Sequence, residues 1–298
     1  MEIKYSTENN GETSIKLVIN KLPYTIFGYS RAGLKTSILI NEINIVFDMG
    51  YSHEKAFSFD NKLISHGHSD HIGALHFDYN ARKLYNITKE RLIIMPKQCI
   101  QPFLMIASAF SEMNCGKCND IINIFPNLKN TKLIESEFCN DYYKLINSDY
   151  WVKSIPMTHK IKSFGYLISK KINKLKSEYF NLKSNELVEI KKTKCITQEI
   201  IIPILAYTGD TTIHAIITNE ELLNVPLLIM ECTGFLEDEI QLCNCGKHIH
   251  INDIIKYANL FKNEKIILFH FSQQYKSITE LLAIKLPDIL QNKIIYFF

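Results

Sequence analysis

The chain has 298 residues, of which 46% are hydrophobic and 22% are charged. This balance excludes a disordered or collagen-like chain and is typical of a globular protein with one large core or two modest ones. Lys and Arg together number 34 and Asp and Glu number 31, so the net charge of +3 does not by itself indicate a nucleic-acid partner.

Residues 1–20 are mixed polar, and no stretch approaches the roughly 18 uncharged apolar residues that a membrane span requires. We therefore expect an intracellular protein, cytoplasmic or nuclear, without a membrane partner. The 8 cysteines have irregular spacings, which predicts free thiols rather than a disulfide framework. The pair Cys115 and Cys118, like the pair Cys243 and Cys245, is a weak signal for a metal or redox site.

Short β-branched runs, closed by turn-prone residues, predict strands in the first part of the chain, at 14–19, 37–40, 43–47 and 62–65. Helical patterns at 72–89 and 98–113 flank an apolar strand at 91–95. The second half predicts strands at 151–156, 165–169, 204–207, 226–230 and 265–269, with a helix at 252–261. Strands that alternate with helices indicate an α/β fold of two sheets with covering helices. No linker rich in Pro, Gly or Ser interrupts the chain, so we expect a single domain over residues 1–298.

One segment, residues 170–194, is strongly basic. It contains eight lysines and three glutamates, an excess of positive charge larger than that of the whole chain. A solvated surface insertion would explain this composition. The interleaved Tyr179, Phe180 and Leu182 favour a protruding arm over a disordered loop.

The strongest chemical signal is the run of histidines and an aspartate from His66 to His71, directly after a predicted buried strand. A dry cluster of imidazoles and a carboxylate needs a metal or another counter-charge. Residues two apart in an extended segment face the same way, so His66 and His68 would bind one metal. Asp70 and His71 would bind a second metal after the chain turns.

Further ligand candidates follow other predicted strands. His159 comes after the strand at 151–156, Asp210 closes the sequence Thr208-Gly209-Asp210, and His270 follows the strand at 265–269. Each could be an ordinary core or capping residue when taken singly. Together they complete two metal-binding shells.

The order of these motifs, HxHxDH, a later His, TGD and a strand-end His, resembles the metallo-β-lactamase superfamily. That resemblance implies an αββα sandwich with a two-metal site at the sheet edges. Within the superfamily, four pieces are similar to ribonuclease Z, the tRNA 3′-end endonuclease: residues 64–73, 163–166 and 231–233, and the HFSQQY box at 270–275.

The resemblance implies that each of these residues is a metal ligand. His66, His68 and His159 would hold one zinc ion, Asp70, His71 and His270 would hold the other, and Asp210 would bridge them. Two Zn²⁺ per subunit are expected, with Mn²⁺ or another divalent metal as an alternative.

The resemblance also implies catalytic and substrate-binding roles. His248 would donate a proton, with His250 as the second choice, Glu231 would orient that imidazole, and Asp70 would handle the proton of the attacking water. The basic segment would be a tRNA-binding arm inserted at residues 167–203. Its expected substrate contacts, together with Arg31, are Lys170, Lys171, Lys174 and Lys176.

These features predict a zinc-dependent endoribonuclease that removes the 3′ trailer from precursor tRNA, leaving a tRNA 3′-hydroxyl and a trailer 5′-phosphate. The resemblance further implies a homodimer. Two alternatives remain open: another hydrolase of the same fold, acting on a phosphodiester or on a small ester or thioester, and a catalytically silent RNA-binding paralogue.

Overall fold

The computed structural model describes residues 4–7, 12–84, 87–115, 130–139 and 141–298. Its strands form two mixed sheets. The strands are β1 (Lys4–Thr7), β2 (Thr13–Ile19), β3 (Leu22–Arg31), β4 (Lys35–Ile40), β5 (Ile45–Phe47), β6 (Asn61–Leu63), β7 (Arg91–Met95), β8 (Thr131–Glu135), β9 (Tyr143–Lys144), β10 (Tyr150–Met157), β11 (Ser163–Leu175), β12 (Thr197–Tyr207), β13 (Leu227–Glu231), β14 (Lys265–Phe269) and β15 (Ile294–Tyr296).

The two sheets are built alike. The first has the order β1 to β8, antiparallel from β1 to β5 and parallel from β5 to β8. The second has the order β15 to β9, parallel from β12 to β15 and antiparallel from β9 to β12. Each sheet therefore has a parallel half, whose strands all end at one edge. Crevices beyond such strand ends are common ligand sites in α/β folds.

The described residues form α-helices, most of which cover the outer faces of the two sheets. They are α1 (Ser69–Ile72), α2 (Leu75–Leu84), α3 (Lys97–Cys115), α4 (Ser184–Lys191), α5 (Ile213–Ile217), α6 (Glu220–Asn224), α7 (Ile240–Gly246), α8 (Ile251–Lys256), α9 (Ile278–Leu282) and α10 (Asp288–Gln291). Within the described ranges, no helix combines the length and the hydropathy that crossing a membrane requires.

Three apolar clusters follow this layering. The first lies between the sheets, a second lies between the second sheet and its helices, and a third lies under α2 and α3. At the centre of the first cluster, the ring of Tyr207 stacks between two phenylalanines, 4.5 Å from Phe47 and 5.0 Å from Phe269, measured between ring centroids. Each of these aromatic residues ends a strand that leads into the candidate site, so the stack joins both sheets directly beneath that site.

The architecture confirms the predicted αββα sandwich. Most predicted strands are present, although several are longer than the apolar run that indicated them. The predicted helix at 72–89 is shorter in the described residues, where α2 spans Leu75–Leu84 and Ile72 is the last residue of α1. The strand β3 was not predicted, since Pro23 and Gly28 interrupt its pattern. Gly28 has a φ of +136°, and a Cβ there would lie 2.1 Å from the carbonyl oxygen of Ser37.

The basic segment forms a long antiparallel hairpin. β11 and β12 pair from Tyr166 with Tyr207 out to Leu175 with Thr197, and α4 lies at the far end. A bulge at Ile168/Ser169 marks where the hairpin leaves the sheet, since the residues before it are buried and those beyond it become exposed. The protruding part of the predicted arm therefore begins near Lys170.

Among the described cysteine side chains, Cys99, Cys195, Cys232, Cys243 and Cys245 are free thiols. Cys118 lies outside the described residues, and the side chain of Cys115 is not described either, so the structure offers no view of that pair.

Candidate metal centre and active site

The predicted metal ligands converge at the edge where the parallel strands of both sheets end. The chain leaves β6 in an extended segment through His66 and His68 and then turns into α1, which carries Asp70 and His71. The short helix α1 is held close to the sheet, because a Cβ at Gly50 would lie 1.7 Å from the carbonyl oxygen of Asp70. The remaining ligands, His159, Asp210 and His270, come from loops that follow β10, β12 and β14.

The first donor set consists of His66, His68 and His159. Nδ1 of His68 lies 3.0 Å from Nε2 of His66 and 3.3 Å from Nε2 of His159. Oδ2 of Asp210 lies 3.7 Å from Nε2 of His66 and 3.8 Å from Nε2 of His159. The potential ligand atoms of these four residues lie within 4.8 Å of one another.

The second donor set consists of Asp70, His71 and His270. Nε2 of His71 lies 3.2 Å from Nε2 of His270, and Oδ2 of Asp70 lies 3.4 Å from Nε2 of His270. Asp210 also reaches this set, with Oδ1 at 3.3 Å from Nε2 of His71 and Oδ2 at 3.5 Å from Nε2 of His270. Asp210 therefore stands between the two sets, as a bridging carboxylate would.

Outer hydrogen bonds fix the proton of His71 and His66 on the nitrogen that faces away from the centre. Nδ1 of His71 donates to Oδ2 of Asp48 at 2.7 Å. The hydroxyl of Ser65 donates to Asp48, so it accepts from Nδ1 of His66 at 3.0 Å. The inward Nε2 of each ring is then left with a lone pair.

Hydrogen bonds also hold the proton of His270 and of His159 on the nitrogen that faces away from the centre. The hydroxyl of Thr233 donates to Glu231, so it accepts from Nδ1 of His270 at 3.0 Å. Nδ1 of His159 donates to the carbonyl oxygen of Lys247 at 3.2 Å. Four imidazoles thus direct unprotonated nitrogens into one buried space.

This arrangement fits a divalent cation. The facing Nε2 atoms of His71 and His270 repel each other unless a positive charge lies between them. Two nitrogens bound to one tetrahedral zinc ion are about 3.4 Å apart, close to the nitrogen separations in both sets. Oδ1 of Asp210 is buried and, in the part of the chain that the structure describes, has no well-aligned hydrogen-bond donor. A cation would relieve the repulsion between these two nitrogens and would give Oδ1 of Asp210 a partner.

The electrostatics of the centre agree with its donor chemistry. Burial and the neighbouring imidazoles lower the pKa of His66 well below its usual value, which keeps the ring neutral. Burial alone would lower the pKa of His71, but the carboxylates of Asp210 and Asp48 outweigh it and raise that pKa well above its usual value. Without a cation, these carboxylates favour a second proton on Nε2 of His71, and a divalent cation would displace that proton and take its place.

His248 lies beside this centre, with its Nδ1 3.9 Å from Oδ2 of Asp210 and close enough to Asp210 and His270 to form a further potential donor group. Its Nδ1 donates to Oε1 of Glu231 at 3.0 Å, and its ring centroid is 5.0 Å from that of His159. Burial would lower the pKa of His248, but the Glu231 carboxylate outweighs it and raises that pKa to about 9. Glu231 is fully buried and also accepts from the backbone N–H groups of Thr211 and Ile249, so its position is fixed.

His250, the second choice for the proton donor, has a different environment. Its Nδ1 accepts from the backbone N–H of Asn252 as the cap of α8, and its Nε2 donates to the carbonyl oxygen of Leu236 at 2.9 Å. Both ring nitrogens are occupied by the backbone. The structure therefore brings His248, and not His250, to the candidate site.

Asp70 contacts the turn between β3 and β4, and Arg31 is the last residue of β3 before that turn. The backbone N–H of Gly33 donates to Oδ2 of Asp70 at 2.8 Å. Arg31 places its guanidinium carbon 3.7 Å from the ring centroid of Phe298, and burial lowers its pKa. Arg31, which was predicted to contact substrate, therefore already contacts the ring of Phe298.

The four predicted arm lysines differ in their surroundings. Lys170 and Lys171 lie at the base of the hairpin, where Lys171 binds Glu199 at 3.2 Å and stacks on Trp151. Lys174 is exposed and Lys176 is half-buried, both nearer the tip.

Sequence reasoning missed the residues that hold the ligands in place, namely Asp48, Ser65, Tyr207 and Thr233. The hydroxyl of Tyr207 donates to Oδ2 of Asp48 at 2.5 Å, so one carboxylate serves both Tyr207 and His71. Asp48 gave a usable signal, because it follows a strand in the same way as Asp210. Tyr207 gave none, since an aromatic residue in a buried strand is ordinary core.

Comparison with known proteins gives three informative similarities, while no family model matches the chain. The tRNase Z TRZ1 of Arabidopsis thaliana is 34% identical over 278 residues, which cover 91% of this chain and 94% of that protein. The crystal structure of human tRNase Z, short form, superposes with a TM-score of 0.54 at 15% identity, covering 90% of this chain and 95% of the human one. The metallo-β-lactamase fold protein YhfI from Bacillus subtilis gives 0.57 at 13% identity, covering 90% and 92%.

Proposed function

This chain belongs to the tRNase Z family of metallo-β-lactamase fold endoribonucleases, and from that premise we propose that it removes the 3′ trailer of precursor tRNA with two zinc ions. The products would be a tRNA with a 3′-hydroxyl and a trailer with a 5′-phosphate. The observation that carries this proposal is the pair of donor sets that share Asp210, with His248 poised beside them on Glu231.

His66, His68 and His159 would hold one ion, Asp70, His71 and His270 would hold the other, and Asp210 would contact both. A two-metal centre of this kind lowers the pKa of water and neutralises charge on a phosphodiester. The protein's own contribution is to keep the donor atoms at fixed separations in a buried, polar pocket.

Two residues would move protons. Asp70 is held at the rim by Gly33 and would accept the proton of the attacking water. His248 would donate a proton to the leaving 3′-oxygen, because Glu231 occupies its Nδ1 and leaves Nε2 as the available donor. Glu231 is a positioning residue in this scheme, since it acts through His248.

Substrate binding would use the arm. Its lysines carry charge without the bidentate geometry of arginine, so contacts along an RNA backbone would be insensitive to sequence. Arg31, at the turn beside Asp70, would contribute from the site itself. We also propose a homodimer in which the arm of one subunit serves the site of the other.

The decisive experiment incubates purified protein with a 3′-extended precursor tRNA, with and without a chelator. We expect a single cut after the last nucleotide before the CCA position, loss of cleavage on chelation, and recovery on addition of Zn²⁺. The isosteric variant Asp210→Asn is the matched control, because it removes the bridging charge without changing side-chain volume. Intact precursor in the presence of metal, together with rapid hydrolysis of a small ester or thioester, would contradict the proposal.

The dimer is tested by complementation. A variant without the arm and a variant with Asp210→Asn are each expected to be inactive. A mixture of the two should recover activity if the arm acts across subunits, and should stay inactive if each subunit uses its own arm.

A further inference from the structure

A cavity of about 440 Å³ opens beside the metal centre, and the site described above does not use it. Residues 66–71, which carry four of the predicted metal ligands, are called the ligand loop. The walls of the cavity include Gly67 and Ser69 from the ligand loop, Gln98, Phe103 and Ile106 from α3, and Ile161. We call it the α3 pocket.

The α3 pocket is continuous with the catalytic machinery. Gly67 and Ser69 alternate along the chain with the predicted ligands His66, His68 and Asp70. A Cβ at Gly67 would lie 3.0 Å from Sγ of Cys99 in the pocket wall, so glycine keeps the wall clear at this point. A molecule bound in the α3 pocket would therefore contact residues that are direct chain neighbours of the predicted metal ligands.

The chemistry of the walls selects an uncharged occupant. None of the described residues that line the α3 pocket is Lys, Arg, Asp or Glu. Phosphate would find no counter-charge there. The walls are mostly aliphatic and aromatic, and the ring of His76 at the rim stacks on Phe110 at 4.1 Å with an interplanar angle of 24°. A flat apolar ligand with polar edges fits such a surface.

We propose that the α3 pocket is a subsite for the unpaired nucleobase next to the scissile phosphodiester. This inference rests on the proposed function, since it requires an RNA substrate whose 3′ extension is single-stranded. An unpaired base exposes both faces to water. Burial of these faces against apolar side chains gives favourable binding free energy, whichever of the four bases it is. The pocket would thus position the cut by holding a base, while the arm holds backbone phosphates.

The test compares a pocket variant with its neighbour on the same helix. Ile106 lines the pocket and is 48% exposed, whereas Met105 is 56% exposed and does not line it. Ile106→Asn and Met105→Asn introduce the same side chain at adjacent positions, and both sites are exposed enough for the fold to tolerate the change. Metal content and thermal unfolding provide checks that both variants remain intact.

Each protein is assayed in single turnover on three precursors: one unmodified, one abasic at the last retained nucleotide and one abasic at the first trailer nucleotide. We expect one abasic substitution to lower kcat/KM of the unaltered protein about tenfold. Ile106→Asn should cause a similar loss on the unmodified precursor and no further loss on that abasic precursor. The abasic position with the effect identifies which base is bound.

Met105→Asn should behave like the unaltered protein on all three precursors. Equal cleavage of all three precursors by the unaltered protein would overturn the inference and leave the proposed function standing. Independent, multiplying losses from Ile106→Asn and the abasic site would also overturn it. Failure to cleave even the unmodified precursor would instead refute the proposed function.

Discussion

Replacing Asp48 by asparagine should weaken one of the two proposed metal sites and leave the other nearly unchanged. Asp48 has a φ of +57°, a left-handed conformation that asparagine also adopts readily, so the backbone should not move. Oδ1 of Asp48 accepts from the backbone N–H of Ser65, and the hydroxyl of Ser65 lies 3.0 Å from Oδ1 and 2.8 Å from Oδ2. An amide oxygen in place of Oδ1 can accept from both Ser65 donors. The new amide nitrogen would then replace Oδ2, which faces His71 and Tyr207.

Three donors would meet at that point: the asparagine NH₂, Nδ1–H of His71 and the hydroxyl of Tyr207. His71 could escape by moving its proton to Nε2, which removes the lone pair that points at the second metal. Loss of such an outer contact typically lowers metal affinity about 10- to 100-fold. The metal-free protein should also lose about 3 kcal/mol of unfolding free energy, since two hydrogen bonds to a buried carboxylate disappear.

Metal affinities are measured by titration against a chromophoric chelator, and stability by denaturant unfolding of the metal-free protein. Tyr207→Phe is the matched control, because it removes one donor and keeps both the ring stack and the hydrogen bond that His71 donates to Asp48. It should retain both metal affinities within about threefold and lose about 1 to 2 kcal/mol of stability. If Asp48→Asn binds two ions as tightly as the unaltered protein, the role assigned to Asp48 is wrong.

Three further outcomes are expected. His248→Gln should slow trailer cleavage about 10²- to 10⁴-fold in single turnover without loss of metal, and a missing ion in elemental analysis would make His248 a ligand instead. Lys174→Ala and Lys176→Ala should each lower the slope of log affinity against log salt by about 0.9 if the lysine meets duplex phosphate, whereas Lys132→Ala, on the edge strand β8, should not. Zn²⁺ at 100 times its dissociation constant should stabilise the metal-free protein by about 2.7 kcal/mol per independent site, and an unchanged melting temperature would refute binding to the folded state.

The sequence was enough to predict the αββα fold, because its strands are short apolar runs with clear boundaries. The convergence of the predicted ligands also agrees with the sequence reading, since ligand residues directly after strands must meet where parallel strands end. These positions share a local signature of strand followed by His or Asp.

What the sequence could not reveal depends on contacts between distant segments. Asp48 and Tyr207 are 159 residues apart, and their hydrogen bond exists only because the two sheets pack face to face. His250 differs from His248 because both of its ring nitrogens bind backbone groups. The spacing of the two residues in the sequence does not predict that difference. The α3 pocket arises where α3 lies against the ligand loop, and neither segment predicts a cavity alone.

The aromatic stack of Phe47, Tyr207 and Phe269 has a consequence for how the protein matures. Its three rings come from strands at widely separated points of the chain, and the ligands they support range from His66 to His270. A ribosome must therefore synthesise the chain past His270 before the second donor set can close. Until then, the emerging first sheet presents His66, His68, Asp70 and His71 without their partners. Metal loading should accordingly be one of the last steps in the biogenesis of this protein, after the two sheets have met.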